Sequence, residues 1–137
     1  MDSIERQVTL PVELEEAWAL LTRPDALPGW LGAEVELDLV PGQAGSVLEH
    51  DGTLRRLVVE TVEDHHRIGW RWWSDAAPDQ VSQVEIEVLP TEGGTTVRVV
   101  EELVEATPVA RAQAGEAWSH RLLHLEALLL VAAAVRG

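Results

Sequence analysis

The chain has no cysteine, no lysine, no phenylalanine and no tyrosine. Without cysteine there is no disulfide framework, no thiol nucleophile and no thiolate zinc site, so three kinds of chemistry drop out together. Without lysine, positive charge rests on ten arginines against 24 carboxylates, for a net charge of -14. Such a surface repels phosphate backbones and anionic headgroups unless a local basic patch opposes it. Arg55 and Arg56 form the only adjacent basic pair, so neither nucleic acid nor membrane is expected as a partner. Long apolar runs are also lacking: the longest ends at Val135 and falls far short of the roughly 20 residues needed to span a bilayer. Met1 to Arg6 is polar and unlike a signal peptide, and the expectation is a cytoplasmic protein. All six aromatic residues are tryptophan, and wide indoles in a small domain either fill the core or line a cavity.

What is present begins with length. A chain of 137 residues fits one domain, 1–137, able to bury a core without disulfides or metal. From Ala110 to Val135 the residues Ala114, Trp118, Leu122, Leu125, Leu129 and Ala132 recur at steps of four and three, one face of a long helix. At about 1.5 Å per residue that helix is a rod of roughly 39 Å, enough to cross about seven strands spaced near 4.8 Å.

The rest of the chain supplies about that many strands. Ile4 to Leu10 alternates apolar and polar residues, and Pro11 ends it. Glu13 to Thr22 reads as a helix with Leu14, Ala17, Trp18 and Leu21 on one face. Pro24 can open a short second helix toward Trp30. Ala33 to Val40 alternates most cleanly of all and is the clearest strand in the sequence. A meander follows: Gly45 to His50, the Asp51-Gly52 hairpin signal, Leu54 to Val62, Ile68 to Trp73, Val81 to Leu89 and Thr96 to Val104. Strands segregated from helices indicate an α+β fold with an antiparallel sheet, and only the terminal helix is long enough to cover it.

Three stretches then resemble the START-like, or helix-grip, superfamily, and within it bacterial homologues of the activator of heat-shock protein 90 ATPase. They are Leu10-Pro11 through Glu16-Ala17-Trp18 and Leu21-Thr22 to Pro28-Gly29-Trp30-Leu31; Leu37 to Gly42 with Asp51-Gly52 and Arg67 to Trp72; and Gly93-Gly94-Thr95 with Trp118, Leu122 and Leu125. The resemblance implies a curved sheet of about seven strands wrapped around the C-terminal helix, two short helices after the first strand, and a space between sheet and helix for an apolar small molecule. Ala117 stands where such proteins commonly carry a glycine before the helix tryptophan.

On this basis the candidate ligand-binding residues are Trp30, Trp70, Trp72, Trp118, Leu122 and Leu125, with Arg6 and Glu101 as polar groups on inward strand parity. A buried charge needs a partner, and Arg6 and Glu101 could pair if the first and last strands adjoin. Trp73 has the opposite parity and could serve a contact in a homodimer. Glu116, His120 and His124 share a helix face but lack a fourth ligand, so they read as solvent-facing and no metal or cofactor is expected. No serine lies in a nucleophile motif. Glu101 is the weak candidate for acid–base work, with Glu49 and His50 behind it.

The leading expectation is binding of a mostly apolar small molecule between sheet and C-terminal helix. A cyclase- or dehydratase-type enzyme using the same cavity, with Arg6 and Glu101 orienting substrate, stays open beside it. So does a chaperone-interacting module of the ATPase-activator type, acting through the acidic surface. The sequence favours a ligand-binding protein over an enzyme and does not name the ligand.

Overall fold

The computed structural model describes residues 2–104 and 107–136, with side chains over 3–104 and 107–130. Strand β1 (Asp2–Leu10) leads through α1 (Leu14–Thr22) and a 3-10 turn (Leu27–Gly29) into β2 (Glu34–Glu36), β3 (Ala44–Leu48), β4 (Leu54–Glu63), β5 (Arg67–Ser74), β6 (Ser82–Thr91) and β7 (Gly94–Leu103). Helix α2 (Pro108–Arg136) closes the chain. The strands form one sheet in the order β1-β7-β6-β5-β4-β3-β2, and every neighbouring pair is antiparallel. This is the α+β antiparallel arrangement expected from the alternation, and the helix-grip architecture that the family resemblance implies.

Two of the hairpin turns that build the meander rest on glycine. Gly52 and Gly93 adopt positive φ of 91° and 92°, which glycine reaches without a Cβ penalty. Gly94 has φ of 146°, and a Cβ there would strike the carbonyl of Leu10. The β6–β7 turn therefore closes directly onto the end of β1, beside the Thr95 hydroxyl that donates to Val12 O at 2.9 Å.

One expected strand is much shorter than its sequence suggests. Alternation runs from Ala33 to Val40, yet ladder pairing stops at Glu36 opposite Ser46. Beyond it, Val40 N bonds back to Asp38 O and Gly42 N reaches Val59 O. β2 is an edge strand with a partner on one side only. Leu37 is still buried, so alternation here records burial after the ladder has ended.

Helix α2 begins where Thr107 and Pro108 place it: Thr107 Oγ1 accepts from Ala110 N at 3.1 Å, capping the first turn, and Pro108 needs no donor there. Its stripe Trp118, Leu122 and Leu125 is buried against the inward residues Ile4, Leu57, Val59, Trp70, Trp72, Val84, Ile86, Val97 and Val99. Ala114 and Leu129 flank that stripe half-buried, and Ala132 lies outside the described side chains. Burying side chains of this size contributes about 1.5–3 kcal/mol each. Helix α1 adds Ala17, Trp18 and Leu21 to the same core. Trp18 stacks on His65, ring centroids 5.7 Å apart, which ties α1 to the β4–β5 turn. Among the described residues no helix is long and apolar enough to cross a membrane.

Candidate functional site

The interior between sheet and helix is built from indoles and charge. Trp72 on β5 and Trp118 on α2 stack at 5.7 Å between ring centroids and 28° between planes. Trp70, on the same face of β5 two residues earlier, meets Trp72 edge-on at 5.6 Å. Trp30 is also buried, and its Nε1 donates to Leu20 O at 3.1 Å.

Glu101 on β7 is 4% exposed, as its inward parity requires. Its Oε1 accepts from Trp118 Nε1 at 2.8 Å, and its Oε2 from Trp72 Nε1 at 2.8 Å and the Ser82 hydroxyl at 2.5 Å. One carboxylate thus locks the helix tryptophan to the sheet tryptophan. A fully hydrogen-bonded buried carboxylate avoids most of the penalty of leaving water. Its donors are structural groups, so Glu101 acts here by positioning two rings.

Arg121 was not singled out by sequence reasoning, and it is the most informative residue of the site. It is 6% exposed. Its guanidinium carbon lies 4.5 Å from the Trp118 ring centroid and 5.0 Å from that of Trp72, cation–π geometry on both. It also pairs with Glu49, at the end of β3. Glu49 accepts a second bond from Arg55 Nε at 3.2 Å, and Arg55 in turn lies 4.8 Å from the Trp72 ring centroid. Burial pulls the Arg121 guanidinium below its ordinary pKa, with Arg55 acting in the same sense and Glu49 and Glu101 opposing. The helix itself carried the missed signal, because position 121 is three residues after Trp118 and four before Leu125 and shares their face.

Arg6 does not pair with Glu101, although β1 and β7 do adjoin and Ile4 stands opposite Glu101. The Arg6 side chain is exposed, donating to the Ser119 hydroxyl at 3.2 Å and to Glu5 O at 2.8 Å. It runs over Gly115 of α2, where a Cβ would meet its guanidinium. β1 is the sheet edge and the helix passes close over it, so inward parity there leads to the rim of the core.

The remaining candidates are peripheral. Glu116, His120 and His124 are exposed on α2, with His124 edge-on to His50 at 6.1 Å. Trp73 is half-buried on the other face of β5. A separate open groove of about 440 Å³ lies between Pro11–Leu14 and the Pro90–Thr95 turn. It has one charged residue, Glu13, and none of the tryptophans, so it lacks the convergence of polar groups seen at Glu101 and Arg121.

The sequence model for "Activator of Hsp90 ATPase homolog 1-like protein" matches residues 11–130. The chain belongs to that family. Solved structures agree on the fold. A protein of the dynemicin biosynthetic locus, DynU16, superposes with a TM-score of 0.86 at 22% identity, covering 94% of this chain and 47% of that one. This chain therefore spans about half the length of that relative. MLL2253 from Mesorhizobium loti gives 0.82 at 23% identity, covering 93% and 96% of the two chains. The Aha1 dimer from Colwellia psychrerythraea gives 0.78 at 18% identity, covering 92% and 94%. No curated protein matches the chain. Family and fold together make this an Aha1-like domain of START-like, helix-grip architecture.

Proposed function

We propose that this domain binds a small, mostly apolar molecule between the concave face of the sheet and α2, and that it does so in the cytoplasm. Trp30, Trp70, Trp72, Trp118, Leu122 and Leu125 form the wall. Glu101 holds two of its rings in place, Arg121 with Glu49 and Arg55 supplies a polar end, and Arg6 sits at the rim.

The observation that carries this reading is the Arg121–Glu49 pair set among stacked indoles. Replacing a buried ion pair by apolar residues of similar volume is commonly neutral or stabilising, so stability alone gives little reason for it. An apolar interior with a few convergent polar groups is the usual composition of a small-molecule site. Native mass spectrometry of freshly purified protein tests the reading. A bound mass of small-molecule size is expected, released on acid unfolding. The bare chain mass alone, under conditions that preserve the folded charge states, counts against it.

The family and the likeness to a dimeric Aha1 favour a second reading, a module that self-associates and docks on a chaperone through its acidic surface. Half-buried Trp73 on the outer sheet face would then lie in the dimer contact. Light scattering gives the oligomeric state. Pull-down of a heat-shock protein of the ninety-kilodalton class should weaken as salt screens the acidic surface, and salt-independent or absent capture removes this reading.

A further inference from the structure

The four fully buried tryptophans differ in one respect. Trp30 Nε1 donates to Leu20 O, while Trp72 and Trp118 both donate to Glu101. Trp70 is 1% exposed, and its Nε1 has no hydrogen-bond partner among the described residues. Buried polar atoms in folded proteins almost always find a partner, and an orphaned donor costs about 1–3 kcal/mol. Phenylalanine would supply a comparable apolar ring at that point with no donor.

The placement of Trp70 adds to the point. Its Cα pairs with Val59 on one side and Val84 on the other, so it sits in the middle of the sheet with apolar neighbours on both flanking strands. Trp72 is its ring neighbour at 5.6 Å, but that indole's N–H and the Glu101 carboxylate are already engaged with each other. The charged groups of the site cluster around Trp72 and Trp118, which leaves the Trp70 donor as the polar handle of the apolar part.

We infer that the ligand of this site carries a hydrogen-bond acceptor oxygen, of the ketone, ester or quinone type, which takes the Trp70 indole N–H while its hydrocarbon part lies among the apolar walls. The inference rests on the ligand-binding reading above and adds the chemical class. It separates oxygenated apolar molecules from plain hydrocarbons: a carbonyl gains about 0.5–1.5 kcal/mol from a neutral hydrogen bond, and the isostere lacking it leaves the donor unpaired.

The test uses benzylacetone and methyl nonyl ketone, each beside the hydrocarbon in which a methylene group replaces the carbonyl oxygen. Calorimetric titration of the wild-type protein is expected to favour each ketone over its isostere by roughly three- to tenfold. In the proton–nitrogen correlation spectrum, the Trp70 indole signal is expected to move downfield with ketone and not with isostere. Trp70→Phe should abolish the preference, and the wild-type spectrum decides the matter if that variant does not fold. Equal binding of ketone and isostere with an unmoved Trp70 signal overturns the inference alone, the donor then being served by water. If neither member of either pair binds, this inference falls, while the ligand-binding reading stands or falls separately on the native mass measurement.

Discussion

Trp118 on the terminal helix donates its indole N–H to Glu101 on the last strand at 2.8 Å, deep in the core between helix and sheet. Because Glu101 also receives Trp72 and Ser82, one carboxylate fixes three donors from three elements. Its removal should be felt as lost stability. Glu101→Ala is expected to destabilise by about 3–5 kcal/mol, because it orphans three buried donors at about 1–3 kcal/mol each. Glu101→Gln, which keeps one acceptor oxygen but turns an amide toward a donor, should lose about 1–3 kcal/mol. Urea unfolding followed by tryptophan emission measures both, and a near-neutral Ala variant contradicts the role assigned here.

Arg121 and Glu49 should be energetically coupled. A double-mutant cycle with Arg121→Met and Glu49→Gln is expected to give an interaction energy of about 1–3 kcal/mol, above the usual value for exposed pairs. Arg121→Met should itself cost less than Arg121→Ala, since methionine replaces part of the packing on the two rings. Additive single effects in thermal or urea unfolding would show that the pair contributes no coupling.

Asp51 gives a pH dependence of known sign. Its Oδ1 accepts from Thr53 N at 2.9 Å, and that backbone hydrogen bond holds its carboxyl below the ordinary value of 3.8. A depressed folded-state pKa contributes stability that is present above the unfolded value and is lost as pH falls through the folded one. Asp51→Asn keeps an acceptor oxygen and removes the titration. Its thermal midpoint should therefore fall less steeply than the wild type's below about pH 4 and run parallel to it above about pH 5. Equal slopes in acid would exclude this contribution.

Gly32 offers a packing test at the edge of the site. A Cβ there would stand 2.6 Å from a Val47 methyl and 2.9 Å from the Leu48 carbonyl, and the backbone oxygen cannot swing aside. Gly32→Ala is expected to cost about 1–3 kcal/mol in unfolding measurements, in the range of overpacking. A neutral effect would mean that β3 can move away from Gly32.

Much of this fold is legible in the sequence because alternation and helical stepping report burial directly. Trp118, Leu122 and Leu125 fall on one helix stripe, and Glu101 continues the inward alternation of Val97 and Val99; all are buried. Parity reads depth poorly at sheet edges, where half of the surroundings are missing. Arg6 on β1 reaches the rim, and the ladder at β2 ends after Glu36 although its alternation continues to Val40. Arg121 shares the helix face of Trp118 and Leu125, but its sequence neighbourhood offers no partner for a buried charge. Its burial depends on Glu49, 72 positions away in the chain, and on two indoles that only the folded sheet brings to it.

The central claim is that the indole-lined interior admits a small molecule, and intrinsic fluorescence tests it most directly because the walls are the fluorophores. Titration of the wild-type protein with a panel of apolar compounds that do not absorb in the tryptophan region is predicted to give a saturable shift or quenching of emission with at least one member. Emission unchanged by every member up to its solubility limit, in protein whose emission still red-shifts on unfolding in urea, would contradict the claim.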